Sequence, residues 1–124
     1  MIVVADETVK IRKAACLMLM DSEGIAECIQ AENGLIAVQL TIERKPDLVI
    51  LDYSMPVMDG FEAAKRIHEA LPEMPIVLFS LYASFMGKEH GFAAIVPKEK
   101  AGSMLIPAVH SLLNLSPKSL LKQA

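Results

Sequence analysis

At 124 residues, 53% of them hydrophobic, the chain has the length of one domain and enough apolar material to fill a core. Its 12 Lys plus Arg against 15 Asp plus Glu give a net charge of -3, which offers no basic field for nucleic-acid phosphates, so direct DNA or RNA contact is not expected. The start carries no basic leader or small-residue cleavage site, and the longest apolar run, residues 14–20, is too short to span a bilayer. A soluble, cytoplasmic protein is the expectation. Cys16 and Cys28 form no CxxC pair and read as buried reduced thiols, in keeping with a reducing compartment.

In chain order, short apolar runs alternate with stretches of helical period, the pattern of βα repeats around a parallel sheet. Residues 2–5, 25–29, 48–51, 76–79 and 93–96 read as strands, several of them unbroken Val, Ile and Leu, as strands covered on both faces require. Residues 8–20, 35–44, 61–71 and 104–113 read as helices. In the third, Phe61, Ala64, Ile67 and Leu71 share a face, with Asp59-Gly60 marking its start and Pro72 its end. Residues 81–92 leave little room for a parallel crossover, so the fourth connection is expected to hold a shortened helix. The domain is expected over 1–113 and a tail over 114–124, where periodicity fades around Pro117.

In an open parallel sheet, ligands bind beyond the carboxyl ends of the strands. The polar residues follow that rule. Asp6 and Glu7 follow the first strand, Asp52 ends the third, Ser80 ends the fourth, and Lys98 lies just past the fifth. Carboxylates gathered so closely repel one another unless a cation compensates, and their hard oxygens favour Mg²⁺ over Zn²⁺. Ser54 is placed to add its backbone carbonyl to the ligands Asp6, Glu7 and Asp52. A lysine and a hydroxyl beside a metal-binding acidic rim suit a phosphoryl group, which a carboxylate can accept as nucleophile. Taken singly, each residue has a plainer explanation: a strand-end Asp is a turn or cap, Lys98 a solvated lysine, Ser80 a strand-end hydroxyl. Their weight comes from standing together. Asp59-Gly60 reads as structural, His68, His90 and His110 receive no role, and the methionines read as packing residues.

Residues 52–60, Asp-Tyr-Ser-Met-Pro-Val-Met-Asp-Gly, resemble the phosphorylation loop of the two-component response regulators. Val3-Val4-Ala5-Asp6-Glu7 with Ile11-Arg12-Lys13 is similar to that family's acidic pair and first helix, and the lead-in over residues 45–51 resembles its form too. The likeness extends from Ile2 to about Leu113 and is to a chemotaxis-regulator-like, single-domain receiver. It implies a flavodoxin-like, doubly wound α/β fold with a five-stranded parallel sheet in the order 2-1-3-4-5. It further implies that Asp52 is the phosphoacceptor, that Asp6 and Glu7 hold Mg²⁺, that Ser80 is the switch hydroxyl and that Lys98 binds phosphate. The donor would be a sensor histidine kinase or a histidine phosphotransfer protein, the output an unknown downstream protein. Such a domain is not itself an enzyme, although slow self-catalysed phosphorylation and dephosphorylation would accompany it.

The chain departs from the family pattern at several positions. Glu7 replaces a second aspartate, Leu81 a small residue, and Ile95 the aromatic that reports the switch; Pro97 precedes Lys98 and Glu99 follows it, so the usual lysine-proline bond is missing. These changes sustain two alternatives: a pseudo-receiver that works by interaction without phosphorylation, and an N-terminal receiver fragment of a longer regulator. A haloacid-dehalogenase-like phosphatase is disfavoured, because Ser54 stands where its second aspartate would be.

Overall fold

The computed structural model describes residues 1–81 and 90–114. Five strands, β1 (Ile2–Ala5), β2 (Cys28–Ala31), β3 (Leu48–Leu51), β4 (Ile76–Ser80) and β5 (Ala94–Pro97), form one parallel sheet in the order β2-β1-β3-β4-β5. Helices α1 (Val9–Asp21), α2 (Gly34–Arg44) and α3 (Gly60–Ala70) connect the first four strands, and α4 (Ala101–Leu112) follows β5 through a single 3-10 turn at Lys98–Lys100. The expected doubly wound sheet and strand order are both present. The short helix expected in the fourth crossover and most of the expected tail lie outside the described residues.

Alternation along the strands produces two cores. Val3, Ala5, Val49, Leu51, Ile76 and Leu78 face α2 and α3, where Ala37, Val38, Ala63, Ala64 and Ile67 meet them. Ile2, Val4, Leu48, Ile50, Val77 and Phe79 face the other way, against Ala15 and Leu19 of α1 and Leu105 and Val109 of α4. A side chain is therefore needed on both faces at every step, which is why these strands read as unbroken apolar runs.

Most element boundaries shift by a residue or more from the sequence expectation. The second strand begins at Cys28 rather than at residue 25, because Ile25 is buried in the α1-side core without joining the ladder, and pairing starts where Ile2 meets Cys28. β5 is displaced by one residue, to Ala94–Pro97. α4 starts at Ala101, three residues before the periodic run; its buried Leu105 and Val109 hold it on the sheet even though Pro107 removes one helical N–H.

Cys16 and Cys28 correct the expectation of free thiols, for they form a disulfide. Cys16 lies on the buried side of α1 and Cys28 opens β2; packing of the helix on that strand brings their Cα atoms to 5.7 Å, within bridging range. A spacing of twelve residues across a helix and a loop carries no such signal in the sequence.

The segment between β3 and α3 is held by capping and by one close approach. Asp59 Oδ1 accepts from the Glu62 N–H at 2.8 Å as the N-cap of α3, the role read from Asp59-Gly60. The Gly60 N–H donates to the Tyr53 carbonyl at 2.8 Å, and a Cβ on Gly60 would fall onto the Asp52 carbonyl oxygen, so only glycine fits beneath the loop. Val57 takes φ 70°, a left-handed conformation that is costly for a β-branched residue, while 74% exposed. Val57→Gly is expected to raise the unfolding free energy by about 1 kcal/mol in urea denaturation, since relief of this strain exceeds the added freedom of the unfolded chain.

Candidate functional site

The winding direction changes between the two central strands: β1 leads outward to β2, and β3 lies on its other side. Their tips are tied together beyond the ladder. The Asp52 N–H donates to the Ala5 carbonyl at 3.0 Å and the Asp6 N–H to the Ala31 carbonyl at 3.1 Å, so Asp6 and Asp52 leave adjacent strands at one level of the crevice. Ser80 pairs with Pro97 at the ends of β4 and β5, which sets Ser80 and the following Lys98 on the same rim.

The side chains converge there. Lys98 Nζ lies 2.5 Å from Asp6 Oδ2 and 3.0 Å from Asp52 Oδ2. All three are withdrawn from water: Asp6 is 1% exposed, Asp52 6%, and the Lys98 side chain 9%. Asp6 Oδ1 accepts from the Thr8 N–H at 2.9 Å, so both carboxylate oxygens of Asp6 are placed. The Ser80 hydroxyl, itself buried, hydrogen-bonds the Asp52 carboxyl. Arg12, one helical turn into α1, donates through one terminal nitrogen to the Asp6 carbonyl at 2.8 Å and to the Glu7 carbonyl at 3.4 Å.

Asp6, Asp52, Ser80 and Lys98, four of the residues expected at the site, thus come together. Glu7 is the exception: it is exposed, as is Ser54, and among the described residues no group of three His, Cys, Asp or Glu stands at metal-binding spacing. The physical reason lies in Lys98, whose ammonium already draws Asp6 and Asp52 together, while the longer Glu7 side chain stays in water. The sequence reading did not single out Arg12. Its only signal there is an arginine one turn past an acidic pair.

Two carboxylates on one ammonium leave a negative charge uncompensated, and the titration behaviour follows. Burial pushes the Asp52 carboxyl above the ordinary 3.8, with the charge of Asp6 adding to the effect; hydrogen bonds from Lys98 and Ser80 and the charge of Lys98 oppose it without cancelling it. For Lys98, burial pulls downward, but hydrogen bonds and charges from Asp6 and Asp52 outweigh it and raise the ammonium above 10.5. In metal-free protein the Asp52 Cγ resonance is accordingly expected to titrate with a midpoint above 3.8, measurable by ¹³C NMR.

A doubly wound, flavodoxin-like sheet with an acidic, lysine-bearing crevice at its switch point defines a class of α/β proteins that bind ligands at strand tips. The comparisons narrow that class. The response regulator receiver domain family matches residues 2–108, and the chain belongs to it. The chain is 31% identical over 121 residues to the uncharacterized transcriptional regulatory protein YhcZ of Bacillus subtilis, covering 98% of this chain and 51% of that protein. It is 35% identical over 79 residues to a protein-glutamate methylesterase/protein-glutamine glutaminase of Trichodesmium erythraeum, covering 64% of this chain and 22% of that one. The chain thus spans about half the length of the first relative and about a fifth of the second. Among solved structures, response regulator protein TrrA of Thermotoga maritima in complex with Mg²⁺ and BeF is similar at TM-score 0.79 and 31% identity, with 90% of this chain and 96% of that one covered. Receiver domains of two-component systems take phosphoryl groups from histidine kinases; the family is a phosphoacceptor module and not an enzyme in itself. Among the described residues no helix is long and apolar enough to cross a membrane.

Proposed function

We propose that this receiver is phosphorylated on Asp52, with a sensor histidine kinase or histidine phosphotransfer protein as donor and a downstream protein as its target. The observation that carries the reading is the shared Lys98 contact of Asp6 and Asp52: a buried pair of hard carboxylates with one charge too many. That donor set fits a hard dication. Asp6 and Asp52 would hold Mg²⁺, with Glu7 and the Ser54 carbonyl reaching in from the exposed loops. When bound, the metal would supply charge neutralisation at phosphoryl oxygens.

The remaining work falls to the chain itself. An Asp52 oxygen attacks phosphorus, the bond to the donor nitrogen breaks, and the donor histidine keeps the electron pair. Lys98, released from one of its carboxylates, carries its positive charge to the transferred phosphoryl oxygens, and the Ser80 hydroxyl moves from the Asp52 carboxyl to donate to one of them. Both groups already touch Asp52, so the rearrangement is local. Residues 1–113 would make up the receiver and 114–124 a tail, in a cytoplasmic protein without direct nucleic-acid contact.

The test is incubation with acetyl phosphate and Mg²⁺, followed by borohydride reduction and peptide mass spectrometry. A Mg²⁺-dependent adduct mapped to Asp52 is expected. No adduct with acetyl phosphate or any phosphohistidine donor would replace this reading with that of a pseudo-receiver.

A further inference from the structure

Asp6 and Glu7 sit in the β1–α1 connection, and a side chain from α1 holds the carbonyls of both. One terminal nitrogen of Arg12 donates to the carbonyl of Asp6 at 2.8 Å and to that of Glu7 at 3.4 Å, while its Nε donates to Gln30 Oε1 on β2 at 3.2 Å. The guanidinium is half-buried, and its rigid fork matches three acceptors from two elements, which a flexible ammonium cannot do. With the Asp6 N–H on the Ala31 carbonyl, the Arg12 contact completes the hydrogen bonding of the Asp6 backbone, while Asp6 Oδ1 accepts from the Thr8 N–H.

We infer that Arg12 is a positioning residue for the cation site: through the Asp6 and Glu7 carbonyls it holds the β1–α1 connection in the shape that presents their carboxylates to a divalent ion, and Gln30 orients it. The inference rests on the Mg²⁺ reading above. Two effects of the guanidinium oppose each other. Its charge near the site repels a dication, so charge alone would make its removal tighten metal binding; its geometry preorganises the ligands, so removal loosens binding. Partners behind metal ligands typically matter about 10- to 100-fold in affinity, more than one screened, half-exposed charge contributes. Geometry therefore wins.

The experiment is an NMR titration of the full chain with MgCl₂, following the Thr8 and Tyr53 amides, for wild type, Arg12→Ala, Arg12→Lys and Gln30→Ala. Arg12→Ala is expected to raise the Mg²⁺ dissociation constant about tenfold, with Arg12→Lys and Gln30→Ala in between. In EDTA the Glu7 and Thr8 amides should exchange with solvent faster in Arg12→Ala than in wild type, a readout that involves no metal and no phosphorylation. Unchanged or tighter binding in Arg12→Ala, with amide exchange unaltered, overturns the inference. Should Arg12→Ala fail to fold, Gln30→Ala decides, since it leaves Arg12 in place and removes only its anchor; wild-type affinity there also overturns it. Absence of Mg²⁺ binding by wild type removes the metal reading itself, and the positioning role with it.

Discussion

Asp52→Asn abolishes Mg²⁺-dependent labelling by acetyl phosphate and, in metal-free protein at neutral pH, raises the unfolding free energy by about 1 kcal/mol. The first effect follows from chemistry, because the amide is no nucleophile toward phosphorus. The second follows from the direction of the Asp52 shift. A carboxyl whose folded pKa lies above its unfolded value binds its proton more tightly when folded, so its contribution to stability is fully present below 3.8 and is lost as pH rises through the folded value. At neutral pH the wild-type protein therefore holds an ionised Asp52 at a cost, beside an Asp6 that repels it. Asparagine keeps the shape and drops the charge. Urea denaturation in EDTA over a pH series checks this: the advantage of Asp52→Asn should shrink as pH falls toward 3.8. A variant less stable than wild type at pH 7 would contradict it. The activity that needs the carboxylate and the stability that suffers from it are one property of one site.

The central part of this arrangement was legible in the sequence. Strands buried on both faces need apolar residues at every step, so β1, β3 and β4 announce themselves as Ile-Val-Val, Leu-Val-Ile-Leu and Ile-Val-Leu-Phe runs, and the polar residue that ends each run falls on the crevice by topology alone. Asp6, Asp52 and Ser80 stand out that way, and Lys98 by the same rule just past β5. β2 was less legible because it is an edge strand with one fully buried residue, and Ile25, which looks like part of it, serves the α1-side core instead. The disulfide was hidden for a related reason: what pairs Cys16 with Cys28 is the packing of α1 on β2, a tertiary fact without a local pattern. Glu7 shows the same limit at the site. Adjacent positions in the chain gave Asp6 and Glu7 equal standing, but Asp6 is anchored by Thr8 and Lys98 while the next residue along turns to solvent. Arg12 acts on the site through backbone carbonyls, which any sequence offers, so no side chain of the site could have pointed to it.

Lys98→Met is the substitution expected to cost most. It leaves the carboxylates of Asp6 and Asp52 facing each other in a buried crevice with no cation between them, and breaking a buried ion pair from one side costs about 3 kcal/mol or more. The loss should be visible in EDTA and largely recovered with millimolar Mg²⁺, because a dication bound there replaces the missing ammonium. The pH dependence distinguishes this from a packing defect. A lysine raised above 10.5 contributes stability that is fully present below 10.5 and is lost as pH rises through its folded value, so wild type should weaken above pH 10.5 by a component that Lys98→Met lacks. A double-mutant cycle gives the last check. In an Asp52→Asn background only Asp6 remains to be orphaned, and Lys98→Met should then cost less by an interaction energy on the order of 1 kcal/mol or more. If the two substitutions add without coupling, and Mg²⁺ restores nothing, Lys98 is not the cation that balances this crevice.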